Sequence, residues 1–359
     1  MASMRFGIHT IEDYSPATHK PLPEFYDDLV DRAVLAEELG YESFWVTEHH
    51  FHWFGGAHAN PIVLLSAVAA RTRTIRLGTA VTLLPYWHPL KVAEEFACLD
   101  NLSHGRVDLG VGRGFFKLEW DGLGLSMAES RPRFDESLAL IQRLWTEERV
   151  SHRGTFWNFE DVELVPKPVQ RPHPPIWVAG TFTPESFSNA GRLGMPLMVV
   201  PYVAIDLDDI KQKVGLYKEG WREGGHRGEP TVLGFFLTYI SDDESTLQEQ
   251  LEDRVRFYKD VNQVPERRMQ GERDAQQYGN FEGTLEKMGY MQFGILQESN
   301  KALFGTPSHI AEVVRLWERE AGMNYVTIMP SWGQLPEETV RTTMRRFATE
   351  VIPLFSQRG

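Results

Sequence analysis

Cysteine is nearly missing: Cys98 is the only one among 359 residues, so no intrachain disulfide can brace the fold. Positive charge is also scarce. Lys and Arg number 37 against 50 Asp and Glu, a net charge of -13. That balance argues against a nucleic-acid or anionic-membrane surface and agrees with an enzyme acting on small molecules. No apolar run approaches the ~20 residues that span a bilayer, and no signal-like apolar stretch follows Met1. These absences predict a cytoplasmic protein with an ample apolar core. Cys98 lies between Ala97 and Leu99 in a helical pattern, where a small buried residue is expected rather than a nucleophile.

What is present is an alternation of short β-rich runs with amphipathic segments. Runs at 5–9, 43–50, 75–81 and 106–111 alternate with helical stretches at 24–39, 61–71, 91–102 and 129–146. Gly40 suits the left-handed residue that closes the first helix. The pattern resumes with runs at 175–180, 195–200, 231–237 and 324–328 and helical stretches at 184–192, 206–223, 242–258, 306–320 and 336–350. Eight strand–helix units predict an α/β fold in which a parallel sheet closes into a (β/α)8 TIM barrel, with residues 1–359 forming one domain. Two stretches interrupt it. Residues 149–168 look like a surface hairpin, and 260–305 form a long polar insertion before the last unit, expected to be a mobile cover over the strand C-termini, with an inert surface excursion nearly as good an explanation.

Active sites of such barrels lie at the C-terminal ends of the strands. The 43–50 run ends there in Glu48-His49-His50. Neutral imidazole titrates near working pH, so His49 is a candidate general base, while a hydrogen-bonded core histidine is the plainer alternative. His50-Phe51-His52 has a metal-ligand spacing, but the strands at 175–180, 195–200 and 324–328 end without His or Asp to complete a set, so no metal is expected.

Gly110-Val111-Gly112-Arg113-Gly114 permits close backbone approach to a ligand and supplies a guanidinium for phosphate; its spacing is wrong for a dinucleotide fingerprint. Gly180-Thr181 through Glu185-Ser186 leads into a helix start, a ready phosphate site if Arg113 and Arg131 converge on it. Ordinary N-capping by Thr183 explains it nearly as well. Trp53, Phe54, Trp87, Phe115, Phe116 and Trp120 suggest an apolar pocket wall, while core packing or a dimer contact explains several of them equally well.

Taken in order, these motifs resemble the bacterial luciferase-like family of flavin-dependent monooxygenases over nearly the whole chain. The resemblance rests on Gly40-Tyr41-Glu42-Ser43-Phe44-Trp45 leading to Glu48-His49-His50-Phe51, then Asn60-Pro61, Leu77-Gly78-Thr79-Ala80-Val81, Ser103-His104-Gly105-Arg106, the Arg113 turn and Phe304-Gly305-Thr306-Pro307. It implies a barrel that binds reduced FMN loosely, reacts it with O2 and oxygenates a small organic substrate. The reduced flavin would come from a separate NAD(P)H:flavin reductase.

The resemblance makes His49 the catalytic base, with Glu48 and His50 as further catalytic candidates. It assigns cofactor binding to Ala80, Val81, Arg113, Arg131, Gly180, Thr181, Glu185 and Ser186, with a non-proline cis peptide expected at Ala80–Val81. It also implies a homodimer through early helices. Gly112 stands where the luciferase α subunit has a reactive cysteine and Phe116 where a tyrosine is found, so oxygenation without light is expected. Two alternatives use the same barrel: a deazaflavin-dependent hydride-transfer dehydrogenase, and a non-catalytic flavin-binding subunit.

Overall fold

The computed structural model describes residues 4–17, 19–267 and 291–356. In chain order the first half runs β1 (Arg5–Thr10), α1 (Leu22–Glu38), β2 (Ser43–Val46), α2 (Pro61–Arg71), β3 (Arg76–Thr79), the short β4 (Thr82–Leu83), α3 (Pro89–Leu102), β5 (Val107–Gly112), α4 (Lys117–Gly122) and α5 (Ser130–Thr146). An antiparallel ribbon follows, β6 (Val150–Arg153) with β7 (Asn158–Val162). The second half runs β8 (Ile176–Ala179), α6 (Pro184–Arg192), β9 (Leu197–Val199), α7 (Leu207–Glu223), β10 (Val232–Ile240) and α8 (Leu247–Arg267). It ends with α9 (Phe293–Glu298), β11 (Leu303–Gly305), α10 (Pro307–Ala321), β12 (Tyr325–Met329) and α11 (Glu337–Arg346).

Strands β1, β2, β3, β5, β8, β9, β10 and β12 pair parallel in that order, and β12 returns to β1 to close a (β/α)8 barrel. The helices bury their apolar faces against the outside of this ring. Leu29, Leu65, Phe96, Leu144, Phe187, Tyr217 and Trp317 are among the fully or almost fully buried residues of that outer layer. No helix among the described residues is long and apolar enough to cross a membrane.

Three expectations are corrected. The 43–50 run is strand only to Val46; beyond it the side chains of residues 48–50 bond to one another, to Glu119 on α4, to the Leu83 amide and to Trp87. The insertion is narrower than 260–305. Helix α8 runs through residue 260 because Leu251, Val255 and Tyr258 keep its apolar face buried, and at the other end Leu303–Gly305 pairs with the end of β10. Residues 268–290, where the mobile cover was expected, lie outside the described residues. Cys98 is exposed: successive helical residues are about 100° apart, and Ala97 and Leu99 take the inward positions on α3.

Inside the ring, bulky residues seal the N-terminal end. Arg76 donates to Asp108 at 2.6 Å, Trp177 donates to the other Asp108 oxygen at 3.2 Å, and the Arg5 guanidinium lies 4.2 Å from the Tyr325 ring centroid. Above them Trp45 and Trp177 meet edge to face at 5.2 Å. Trp45 fits only because residue 78 is glycine: a Cβ there would fall 2.1 Å from the indole. We expect Gly78→Ala to lower stability by roughly 1–3 kcal/mol through overpacking, read as a lower denaturant midpoint at unchanged slope.

Candidate active site

With one end sealed, the other end of the barrel opens into a cavity of about 740 Å3, a size suited to a cofactor with a small substrate. At its outer end Arg113, from the turn after β5, reaches Thr183 Oγ1 at 3.3 Å. Arg131, from the first turn of α5, reaches Ser186 Oγ at 3.2 Å. Thr183 occupies the N-cap of α6 but makes no side-chain capping bond there, so the capping alternative is not realised. The site therefore combines two guanidiniums and hydroxyls at the positive end of a helix dipole, a set that fits a phosphate dianion.

Thr181 and Ser186 line this end of the cavity together with both arginines. Gly180 and Glu185 are not on its wall. The Gly180 amide bonds to Met198 O at 2.9 Å within the barrel, and Glu185 is exposed on α6.

Ala80 and Val81 line the middle of the cavity, and the peptide between them is cis. Gly112 packs directly on Val81. A Cβ at residue 112 would lie 2.4 Å from Val81 Cγ2, so any side chain there, cysteine included, would require Val81 to move.

The three residues Glu48, His49 and His50 are split into two pairs. Glu48 accepts from His50 Nε2 at 2.9 Å, from Trp87 Nε1 at 2.6 Å and from the Leu83 amide at 3.0 Å. His50 is absent from the cavity wall, whereas Glu48 and His49 line it. Burial works against the charged form of His50, yet the Glu48 hydrogen bond and charge outweigh it and raise the pKa.

His49 has a different partner. Its Nδ1 lies 3.0 Å from Glu119 Oε1, and its Nε2 makes no hydrogen bond among the described residues. Glu119 also accepts from the His50 amide at 2.9 Å, His52 Nε2 at 3.3 Å and the Tyr86 hydroxyl at 3.1 Å. Burial alone would favour a neutral carboxyl, but the charge and hydrogen bond of His49, with the other donors, hold Glu119 well below the usual carboxylate range.

Glu119 was missed from sequence. A signal existed: it is the one acid in Phe115-Phe116-Lys117-Leu118-Glu119-Trp120, placed between side chains that anchor the segment in the core.

The same cluster bears on metal binding. Ligand atoms of His49, His52 and Glu119 lie within 4.8 Å of one another, so the residues able to approach an ion are not the His50 and His52 of the H-x-H spacing. The aromatic group divides as well. Phe54 and Phe115 line the cavity, Phe116 and Trp120 are fully buried, and Trp53 and Trp87 are largely exposed. His9, on β1, also reaches the cavity; burial, together with the charges of His58 and His49, lowers its pKa to about 3, so it stays neutral.

A parallel barrel whose mouth joins two arginines and their hydroxyl partners to a buried histidine is the architecture of an enzyme with its site at the strand ends. The chain belongs to the luciferase-like monooxygenases, whose family profile matches residues 4–325.

It is similar to a monooxygenase of Streptomyces bottropensis, RslO1, at 32% identity and a TM-score of 0.82, covering 98% of this chain and 100% of that one. The oxygenase component of flavin-dependent trigonelline monooxygenase from Acinetobacter baylyi is 30% identical over 71% of this chain and 70% of its own length. An F420-dependent glucose-6-phosphate dehydrogenase of Amycolatopsis mediterranei is 33% identical over 62% of this chain and 68% of its own length.

The His50–Glu48 pair yields a pH-dependent stability. A raised folded-state pKa gives stabilisation that is fully present below the unfolded value near 6.5 and is lost as pH rises through the folded value. Denaturant unfolding of wild type and His50→Gln should therefore show a wild-type advantage that is largest near pH 6 and shrinks by pH 9. An advantage independent of pH would remove the ion pair from consideration.

Proposed function

We propose that the protein is the oxygenase component of a two-component monooxygenase. It takes reduced FMN from a separate NAD(P)H:flavin reductase and uses O2 to oxygenate a small, largely apolar organic substrate in the cytoplasm. The observation that carries this reading is one cavity lined both by Arg113, Arg131, Thr181 and Ser186 and by His49. The trigonelline relative, itself an oxygenase component, supports the division of labour.

Arg113 and Arg131 would hold the FMN phosphate with the Thr181 and Ser186 hydroxyls, and Ala80 and Val81 would bear against the ring system. Reduced FMN supplies the electrons for activating O2. The chain supplies orientation, a dry apolar wall from Ile11, Phe54, Phe115, Phe182, Met198 and Phe235, and a base at His49 Nε2 that takes a proton from a bound reactant.

The F420-dependent relative favours a second reading, hydride transfer with a deazaflavin in the same cradle. Comparing the affinities of reduced FMN and reduced F420 separates the two.

Anaerobic titration with reduced FMN is expected to give saturable binding. Arg113→Ala should weaken it roughly 10- to 100-fold, the equivalent of a lost charge-assisted hydrogen bond of about 1.5–3 kcal/mol. A substrate screen with a flavin reductase under 18O2, read by mass, tests the reaction; absence of binding by any flavin form would refute the proposal.

We further infer a homodimer through α2 and α3, which expose Val63 and Leu102 on their outer faces. Sedimentation of the full chain should give twice the monomer mass, and Leu102→Glu should shift it toward the monomer.

A further inference from the structure

We propose that Glu119 is a positioning residue for the reaction: its buried carboxylate keeps His49 in the tautomer with Nδ1 protonated, leaving Nε2 as the proton acceptor in the cavity. The inference rests on the reading of His49 as the proton-handling group.

Glu119 has no solvent-exposed surface, and both of its oxygens are engaged by donors from other parts of the chain. An ionised carboxylate can only accept, so the His49 nitrogen facing it must carry the hydrogen. The opposite nitrogen is then the basic one.

Other features support this assignment. Glu48, the acid adjacent in sequence, has its oxygens committed to His50, Trp87 and the Leu83 amide. Helix α4 cannot easily shift Glu119, because Phe116 and Trp120 on either side are fully buried. His52 shares the carboxylate, but burial lowers its pKa against the pull of Glu119 and the charge of His49 adds to that lowering.

In the step itself, a proton leaves a bound reactant for Nε2, an imidazolium forms, and the adjacent carboxylate balances its charge while remaining unprotonated. The competing role for the cluster is to hold a cation. The His50 amide hydrogen, aimed at the same Glu119 oxygen, opposes it.

The test uses the full chain with 15N-labelled histidine, first without cofactor. Wild-type His49 is expected in the Nδ1-protonated form, and Glu119→Gln should lower its titration midpoint by roughly one pH unit. In turnover with a flavin reductase, Glu119→Gln should lose about 100-fold or more in kcat, with affinity for reduced FMN within about twofold and the acid limb of the pH profile moved to lower pH.

An Nε2-protonated His49, an unchanged titration in Glu119→Gln, or stoichiometric Zn2+ binding whose removal abolishes activity would overturn the proposal. If Glu119→Gln fails to fold, the wild-type tautomer decides. Failure of flavin to bind the wild type would remove the monooxygenase reading without touching the tautomer result.

Discussion

A closed ring of parallel strands leaves no free edge, so only its two ends offer unpaired backbone and convergent side chains. In this protein the lower end is filled by Arg76, Asp108, Trp177 and Tyr325, with Trp45 above them accommodated by Gly78. Chemistry is thereby confined to the upper end. There the strand exits of β2, β5 and β8 bring His49, Arg113 and Thr181 into one cavity although each is more than sixty residues from the next in the chain.

Within that cavity, buried carboxylates organise the surroundings of the histidines. Glu48 gathers the exit of β2 and the loop after β4 through His50, Leu83 and Trp87. Glu119 gathers residues 49–52, Tyr86 and α4. Each would be costly to bury alone, and each is satisfied by several donors. The consequence is a histidine held in one orientation beside apolar walls, and an arginine–hydroxyl cluster drawn from the exits of β5 and β8 and the starts of α5 and α6.

Much of this was legible from sequence because it follows from local periodicity. Alternating apolar runs separated by Gly-closed helices predict strand–helix units wherever burial is one-sided, and the barrel follows from their number. The Arg113 turn and the helix start at 184 were legible for a similar reason: glycine and proline act through backbone geometry that needs no distant partner.

What escaped was pairing. Glu48 stands one residue from His49, yet its carboxylate turns to His50, and the partner of His49 lies seventy residues on. The placing of Gly180, Glu185, Phe116 and Trp120 depended likewise on which side of each turn or helix faces the cavity.

The sequence by itself thus determined the fold class, the end of the barrel where function must lie, and the residue types available there, because these depend on period, turn chemistry and charge. Only the tertiary structure decided which acid serves which histidine, which arginines meet which hydroxyls, and which aromatics form wall or core. Those outcomes rest on hydrogen bonds and contacts of a few ångströms between distant segments. Such contacts are set by how strand exits and helices pack together, and no local pattern encodes that.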